Sequence, residues 1–157
     1  MDLFLVRHGP AVERGTGDYE DPDRPLTTIG RRRVTRMARS LRDWMRGIPI
    51  LTSPYRRCRQ TARLLSREWS SSKPEAVDFL GAEQGAREAL EPLQARCRGE
   101  DRLLTVGHEP QLSELLALLV GPVRVDFKKG ALAWVDWQEG QGCLRAFLWP
   151  GLLRRLR

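Results

Sequence analysis

Leu3-Phe4-Leu5-Val6-Arg7-His8-Gly9 is the stretch of sequence that decides the fold. Its four consecutive apolar residues predict a strand covered on both faces, because a half-exposed strand would alternate apolar and polar residues. Such a strand belongs in the middle of an open α/β sheet, where ligands bind at the carboxyl ends of the strands. Arg7 and His8 lie at that end, and Gly9 permits close approach of the backbone to a ligand. The stretch therefore predicts a central strand that ends in a binding site.

A second stretch, Arg102-Leu103-Leu104-Thr105-Val106-Gly107-His108, repeats this pattern. His8 and His108 are the two histidines of the sequence, and each follows an apolar run. Because the carboxyl ends of parallel strands share one edge of a sheet, we expect the two imidazoles to meet there. Either histidine alone could be a structural, hydrogen-bonded residue. Their equivalent positions favour a shared catalytic site.

The rest of the chain alternates between helical and extended patterns. Helices are predicted from a cap at Thr27 or Thr28, after Ser53-Pro54, over 83–98 with Pro92 inside, and over Gln111–Val120. Further strands are predicted over 48–52, 76–80, 123–127, 131–137 and 143–149. Residues 10–25 are polar and predict a loop on the ligand side. This order predicts a single domain over 1–157, a three-layer α/β/α sandwich whose mostly parallel central sheet has an antiparallel edge.

The formal charge is +7, and 24 of the 27 basic residues are arginine. Arginine presents a fork of donors that suits phosphate, so we expect a phosphate-bearing or acidic partner. Genome composition or heat adaptation would produce the same bias. A nucleic-acid partner is disfavoured, because the basic residues are not interleaved with aromatic ones and match no recognised binding motif.

The N-terminal apolar run is too short for a signal peptide or a membrane span, so we expect a cytoplasmic protein without a membrane partner. Cys58, Cys97 and Cys143 are scattered and have no metal-ligand spacing. A zinc site built from His8, His108 and a cysteine would lack a compact ligand motif. We therefore expect neither a metal nor another cofactor.

The expected meeting of two histidines and several arginines indicates a phosphate pocket, because arginine forks match phosphoryl oxygens. A neutral imidazole is a competent nucleophile toward phosphorus, and neighbouring arginines keep it unprotonated. One imidazole can therefore attack while the other stabilises charge on the oxygens.

Four sequence blocks resemble those of the histidine phosphatase superfamily, in the same order. They are the RHG signature in Leu5-Val6-Arg7-His8-Gly9, the "pLT..G" block in 24–30, the "SP..RA.qT" block in 53–61, and the second-histidine block in Val106-Gly107-His108. The short chain and the form of the second block are most similar to the SixA branch, the phosphohistidine phosphatases.

The resemblance implies a phosphoglycerate mutase-like fold and a metal-independent phosphatase with a phosphohistidine intermediate. His8 would be phosphorylated transiently, and water would then remove the phosphoryl group. Arg7, Arg57 and His108 would bind and polarise its oxygens, and Gly9 would lie against the substrate. Arg57 takes this role as the fifth residue of its block, a position that neighbouring arginines of the block do not match.

The implied substrate is phosphohistidine in a protein. The nearest alternative is phosphatase or mutase activity on a small phosphate ester. An alternative of another class is a non-enzymatic basic module that binds nucleic acid or an acidic protein, which would retain binding without His8.

The chain departs from the family pattern at Pro10, which follows the RHG signature, and at Cys58, which replaces a small alanine and is expected to be packing. Glu83 is the candidate general acid, with Asp18, Glu20 and Asp21 as alternatives. An ester needs such an acid, because its leaving alkoxide must be protonated, whereas phosphohistidine expels the better leaving group imidazole.

Overall fold

A computed structural model describes residues 1–138, 140–153 and 155 of the chain. The strands are β1 (Asp2–Arg7), β2 (Ile50–Thr52), β3 (Glu75–Ala76), β4 (Arg102–Gly107), β5 (Leu132–Gln138) and β6 (Gln141–Leu148). The helices are α1 (Thr28–Ser40), α2 (Arg42–Met45), α3 (Arg56–Trp69), α4 (Ala86–Cys97), α5 (Gln111–Val120) and α6 (Pro150–Leu153). Two short 3-10 helices cover Asp21–Asp23 and Asp78–Leu80.

The strands form one sheet in the order β3-β2-β4-β1-β5-β6. The first four strands in that order pair in parallel, whereas β5 pairs antiparallel with both β1 and β6. This arrangement confirms the predicted mostly parallel sheet with an antiparallel edge.

The central strand β1 is buried because helices cover both faces of the sheet. Leu3 and Leu5 belong to a core that includes residues of α4 and α5. Phe4 and Val6, on the opposite face, belong to a second core that includes residues of α1 and α3. Burying an apolar side chain of this size contributes about 1.5–3 kcal/mol. Two cores, one on each face, are therefore why the run of apolar residues shows no alternation.

The register of β1 against β4 decides where the two histidines lie. Arg7 pairs with Gly107 at the last position of the parallel ladder. His8 and His108 are therefore the first residues beyond equivalent ends of neighbouring strands. The amide of His8 donates to the carbonyl of Gly107 at 3.1 Å, which continues the ladder to the edge of the site.

The start of α1 fixes the backbone that follows His8. The hydroxyl of Thr27 accepts a hydrogen bond from the amide of Gly30 at 2.9 Å, so Thr27 is the cap. A Cβ atom at Gly30 would lie 1.9 Å from the carbonyl oxygen of Pro10. The helix can approach the chain after the RHG signature this closely because residue 30 has no side chain.

Three predicted elements differ from the structure. Residues 123–127 form no strand, although Val123 and Val125 pack on the first core and Phe127 is buried. The predicted strand at 76–80 is Glu75–Ala76 followed by a 3-10 turn, and the predicted helix at 83–98 is the shorter α4. α4 begins late because residues 81–84 are held in a turn by a hydrogen bond from the amide of Gln84 to the carbonyl of Gly81.

The helix predicted after Ser53-Pro54 begins at Arg56, and Tyr55 occupies the cap position. Pro92 lies inside α4 without ending it. In the part of the chain that the structure describes, no helix has both the length and the apolar character needed to cross a membrane.

Candidate active site

His8 is buried at the end of β1 with one ring nitrogen held by the backbone. Its Nδ1 lies 2.7 Å from the carbonyl oxygen of Gly9, which can only accept, so Nδ1 carries the proton and Nε2 has a lone pair. Burial is the main reason that the pKa of His8 falls to about 3; the hydrogen bond to Gly9 opposes this effect, and the nearby His108, Arg57 and Arg7 add to it. His8 is therefore a neutral imidazole near pH 7.

His108 faces His8, with 5.3 Å between the ring centroids. Arg57 Nη2 donates to His108 Nδ1 at 3.2 Å, so the proton of the neutral ring is on Nε2 and donates to Ser53 Oγ at 2.7 Å. Burial is the main reason that the pKa of His108 falls to about 3, and the charge of Arg57 adds to the effect. The two histidines thus meet in the same protonation state with opposite tautomers.

Arg57 joins the two imidazoles from the first turn of α3. Its side chain is 3% exposed, and its Nε donates to His8 Nε2 at 3.3 Å. Nη1 donates to the backbone carbonyl of Asp21 at 2.7 Å, and Nη2 lies 3.3 Å from Asp21 Oδ2. The ring of Tyr55 lies against the guanidinium, 4.8 Å from centroid to Cζ. One buried cation therefore contacts both histidines and the polar loop.

Arg7 lies on the other side of His8. Its Nη1 donates to the carbonyl of Phe127 at 2.7 Å. Its Nε is buried and has no hydrogen-bond partner among the described residues. Arg7 can thus offer a hydrogen bond to a bound anion without giving up the bond to Phe127.

Gly9 makes room for packing next to the site. A Cβ atom there would lie 2.5 Å from Val34 Cγ2. The amide of Gly9 donates to Thr61 Oγ1 at 3.1 Å, and the hydroxyl of Thr61 in turn donates to the carbonyl of Arg57 at 2.8 Å. Thr61 thereby ties the backbone after His8 to α3. Contact of Gly9 with substrate stays a prediction.

Glu83, the candidate acid, lies at the exposed rim of the site. Its Oε2 accepts a hydrogen bond from the hydroxyl of Tyr55 at 2.6 Å, and this bond lowers the pKa of Glu83. The same bond raises the pKa of Tyr55 to about 12. The ring of Tyr55 lies 5.0 Å from that of His108, so Glu83 is near the histidines but not in direct hydrogen-bonded contact with them.

Among the alternative acids, Asp21 is the one that touches the site, through Arg57. Partial burial raises the pKa of Asp21, but hydrogen bonds from Arg14 and Arg24 outweigh that effect and the pKa falls to about 2. Asp18 and Glu20 are exposed in the loop. Asp21 and Glu83, the acids near Arg57 and His108, therefore both have lowered pKa values that favour the carboxylate.

Ser53, Tyr55 and Thr61 are site residues that the sequence analysis did not single out. Ser53 begins the Ser-Pro pair after which a helix is predicted, and its hydroxyl accepts from the amide of Tyr55 at 3.3 Å as well as from His108. The signal that could have found Ser53 and Thr61 is their place as first and last residues of the 53–61 block.

Cys58 packs under His108, with its Sγ 3.5 Å from His108 Nε2. The thiol is fully buried, and this burial raises its pKa to about 12. Among the described residues, no three His, Cys, Asp or Glu side chains are grouped closely enough to hold a metal ion.

These contacts define a class of site. Two neutral imidazoles and two arginines converge at one sheet edge, and the Asp21 carboxylate compensates Arg57 only in part. Such a site favours an anion that can accept several hydrogen bonds. The lone pair of His8 Nε2, which accepts from Arg57 here, becomes available to the anion once Arg57 donates to the anion instead.

Comparison with known proteins identifies the family. Residues 3–81 match the model of the histidine phosphatase superfamily (branch 1), and the chain belongs to this superfamily. An uncharacterised protein from Picosynechococcus is 38% identical over 117 residues, which cover 73% of this chain and 70% of that protein.

Solved structures agree with this assignment. The protein histidine phosphatase SixA in complex with tungstate has a TM-score of 0.88 and 29% identity, covering 98% of this chain and 99% of that one. A structure assigned as phosphohistidine phosphatase SixA from Agrobacterium tumefaciens has a TM-score of 0.81 and 26% identity over 95% and 97% of the two chains. Phosphoglycerate mutase from Bacillus anthracis, at 14% identity, a TM-score of 0.75 and coverage of 98% and 95%, shares the fold. The predicted resemblance to a SixA-like branch is confirmed, and the chain is placed among the phosphatases and mutases of the superfamily.

Proposed function

We propose that the protein is a phosphatase that forms a phosphohistidine intermediate on His8 and acts on phosphohistidine in a protein. The observation that carries the proposal is the state of His8: Nδ1 is held by the Gly9 carbonyl, and Nε2 presents a lone pair between Arg57 and His108. A low pKa keeps that lone pair free of a proton near neutral pH.

The first step transfers the phosphoryl group to the enzyme. A bond forms between His8 Nε2 and phosphorus as the bond from phosphorus to the substrate imidazole breaks. The substrate nitrogen keeps the electron pair of the broken bond and receives a proton from solvent. Arg57 and Arg7 donate hydrogen bonds to the phosphoryl oxygens, whose charge they stabilise during the transfer.

The second step is hydrolysis. The oxygen of a water molecule attacks phosphorus, the Nε2–phosphorus bond breaks, and its electron pair returns to His8. Inorganic phosphate leaves, and the proton lost by the water passes to solvent. A phosphoryl dianion beside His108 favours the protonated imidazole, so bound phosphate raises the pKa of His108 and allows it to donate to an oxygen.

The choice of phosphohistidine over an ester rests on the nearby acids. Asp21 and Glu83 both have lowered pKa values, so neither is poised to protonate an alkoxide at neutral pH. Phosphohistidine releases imidazole, which leaves more readily. The likeness to SixA structures supports the same substrate class.

Brief incubation with a 32P-labelled phosphohistidine peptide tests the intermediate. We expect label on the protein that is stable to base and lost in acid. His8→Ala should abolish the label and reduce turnover by at least about 10³-fold, because it removes the nucleophile. The variant should first be shown to be folded by its cooperative unfolding. Turnover by folded His8→Ala at the wild-type rate would rule the mechanism out.

A substrate panel tests the substrate class. We expect kcat/KM for the phosphohistidine peptide to exceed that for phosphoserine and sugar phosphates. The reverse order would assign the enzyme to small phosphate esters. A tungstate-bound structure should place the metal next to His8 Nε2, and an anion bound away from both histidines would contradict the assignment.

A further inference from the structure

A cationic pocket lies beside the proposed catalytic site, on the face of the sheet covered by α1. It has a volume of about 280 Å³ and includes Arg33 and Arg36 of α1, Lys128 and Lys129 of the turn before β5, and Trp149. We refer to these five residues as the basic pocket. None of the described residues that line it is acidic.

The charges of Arg33, Lys128 and Lys129 are poorly compensated within the described part of the chain. No described carboxylate forms an ion pair with Arg33 or Lys129, and Lys128 has an exposed partner in Asp126 at 3.5 Å. By contrast, Arg39 on the same helix pairs with Glu68. Arg33, Lys128 and Lys129 share at most one exposed carboxylate among the described residues, so their charges repel one another and an anionic ligand relieves that repulsion.

Both walls of the basic pocket connect to the backbone that carries His8. Gly30 of α1 contacts Pro10, and Arg33 and Arg36 lie about 5 and 9 Å further along the helix axis. On the other wall, the amide of Gly130 donates to the carbonyls of Arg7 and His8, each at 3.1 Å. Lys128 and Lys129 directly precede that glycine. The pocket is thus close enough to contact the chain that flanks a phosphohistidine bound at His8, since an extended peptide spans about 3.3 Å per residue.

The pocket is suited to a segment that is acidic and also has an apolar residue. Trp149 is 38% exposed, one of few large hydrophobic side chains with that exposure among the described residues. Met37, Pro150 and Leu153 add to the apolar part of the lining. An acidic side chain can pair with the lysines and Arg33 while a neighbouring apolar side chain packs on Trp149.

We infer that the basic pocket docks an acidic segment that flanks the phosphohistidine of the protein substrate. The inference rests on the proposed function. It adds that the enzyme selects its protein substrate by the negative charge of the residues that flank the phosphohistidine. It assigns a role to part of the arginine and lysine excess that the chemistry at His8 does not use.

Two synthetic peptides test the inference directly. The two peptides have equal length, and each contains one histidine that is phosphorylated with phosphoramidate. The residues that flank this histidine include four aspartates in the acidic peptide and four glutamines in the neutral peptide. For the wild-type enzyme at low salt, we expect KM to be about tenfold lower for the acidic peptide with similar kcat. Salt at 0.5 M should remove most of the difference, because exposed charges are screened.

The double variant Lys128→Gln, Lys129→Gln should reduce the preference for the acidic peptide about threefold or more and leave turnover of the neutral peptide unchanged. The matched control is Arg87→Gln, Arg98→Gln, which removes the same charge from exposed positions on the opposite face of the sheet. The control should retain the preference. Equal KM values for the two peptides in the wild type, or equal losses in both double variants, would overturn the inference.

Direct binding separates this inference from the proposed function. Calorimetry with the unphosphorylated acidic peptide should show binding that weakens in Lys128→Gln, Lys129→Gln and not in the control. If neither phosphopeptide is turned over while p-nitrophenyl phosphate is, the phosphohistidine assignment fails and with it the docking role. If the neutral phosphopeptide is turned over but the acidic flank confers no binding, docking alone is overturned. Tighter binding of a single-stranded oligonucleotide of equal charge, lost in the same variant, would also overturn it.

Discussion

The ends of β1 and β4 have similar sequences but hold their histidines in different ways. The ring of His8 is held through Nδ1 by the carbonyl of the next residue, Gly9, and its Nε2 accepts a longer bond from Arg57. The ring of His108 is oriented by two side chains from elsewhere in the chain, Arg57 and Ser53. One imidazole is thus set by local backbone, and the other depends on the loop and helix that follow β2. A single side-chain substitution should therefore be able to change the orientation of His108 without changing that of His8.

The largest effect is expected at the residue that joins the two ends. Arg57→Gln removes the donor to both imidazoles and a cation that stabilises phosphoryl charge, so kcat/KM should fall about 10²- to 10³-fold. Arg56→Gln is the matched control, because Arg56 is the adjacent arginine and contacts the carbonyl of Asp23 instead. Its kcat/KM should change less than about twofold. Similar losses in both variants would mean that overall charge, and not the contact with the histidines, matters.

Ser53→Ala tests the end of β4, which carries His108, without changing the end of β1. It removes the acceptor of His108 Nε2–H, so the ring keeps the bond from Arg57 but is oriented less firmly, and kcat should fall about tenfold with little change in KM. Ser53→Thr, which keeps the hydroxyl, should restore most of the activity. Trapping of label on His8 should persist in Ser53→Ala, because the orientation of His8 does not use this side chain. Loss of the label would show that the two ends are not independent.

The buried neutral histidines should also make stability depend on pH. Both have pKa values lowered from 6.5 to about 3, so between these values the unfolded chain binds more protons than the folded one. Their contribution to the free energy of unfolding is complete above about pH 6.5 and declines as the pH falls toward 3. Urea unfolding at pH 7, 5.5 and 4.5 should show this decline, and His8→Asn or His108→Asn should each make it shallower. An unchanged slope in both variants would contradict the assigned protonation states.

The smallest effect is expected at Cys58. Its thiol is buried beside His108 with a raised pKa of about 12, so it stays protonated and acts as packing. Cys58→Ala should change kcat/KM less than about twofold and reduce stability by about 1 kcal/mol from lost packing. A tenfold loss of kcat with normal stability would instead make Cys58 a third residue that positions His108.

The sequence analysis predicted the meeting of the histidines because both follow buried strands with a common carboxyl edge. It did not predict that Arg7 lies opposite Gly107, since register depends on packing between strands distant in sequence. Ser53 illustrates the same limit: the Ser-Pro pair predicted a helix cap, whereas the hydroxyl is used by a residue 55 positions away. Glu83 was placed near the site, but its bond to Tyr55 could not be foreseen from either residue.

Segment 123–127 shows why a correct pattern can yield a wrong element. Val123, Val125 and Phe127 point to the core while Arg124 and Asp126 are exposed, as in a half-buried strand. Both edges of the neighbouring β5 are already paired, with β1 and β6. The alternation of apolar and polar residues indicates which side chains are buried. Whether the backbone also pairs as a strand depends on whether the neighbouring strand has an unpaired edge.

The loop after His8 is closed at its base and is also tied within its length, where Asp21 bonds to Arg57. Ala11 bridges to Leu26, Val12 bonds to Pro25, and Gln60 holds the amide of Leu26. Residues 15–20, before Asp21, are exposed. Residues can be added or removed there without changing the contacts of the imidazoles, and each doubling of loop length costs only about 0.6 kcal/mol in closure entropy. A change in the length of this segment should therefore leave the position of the nucleophile unchanged.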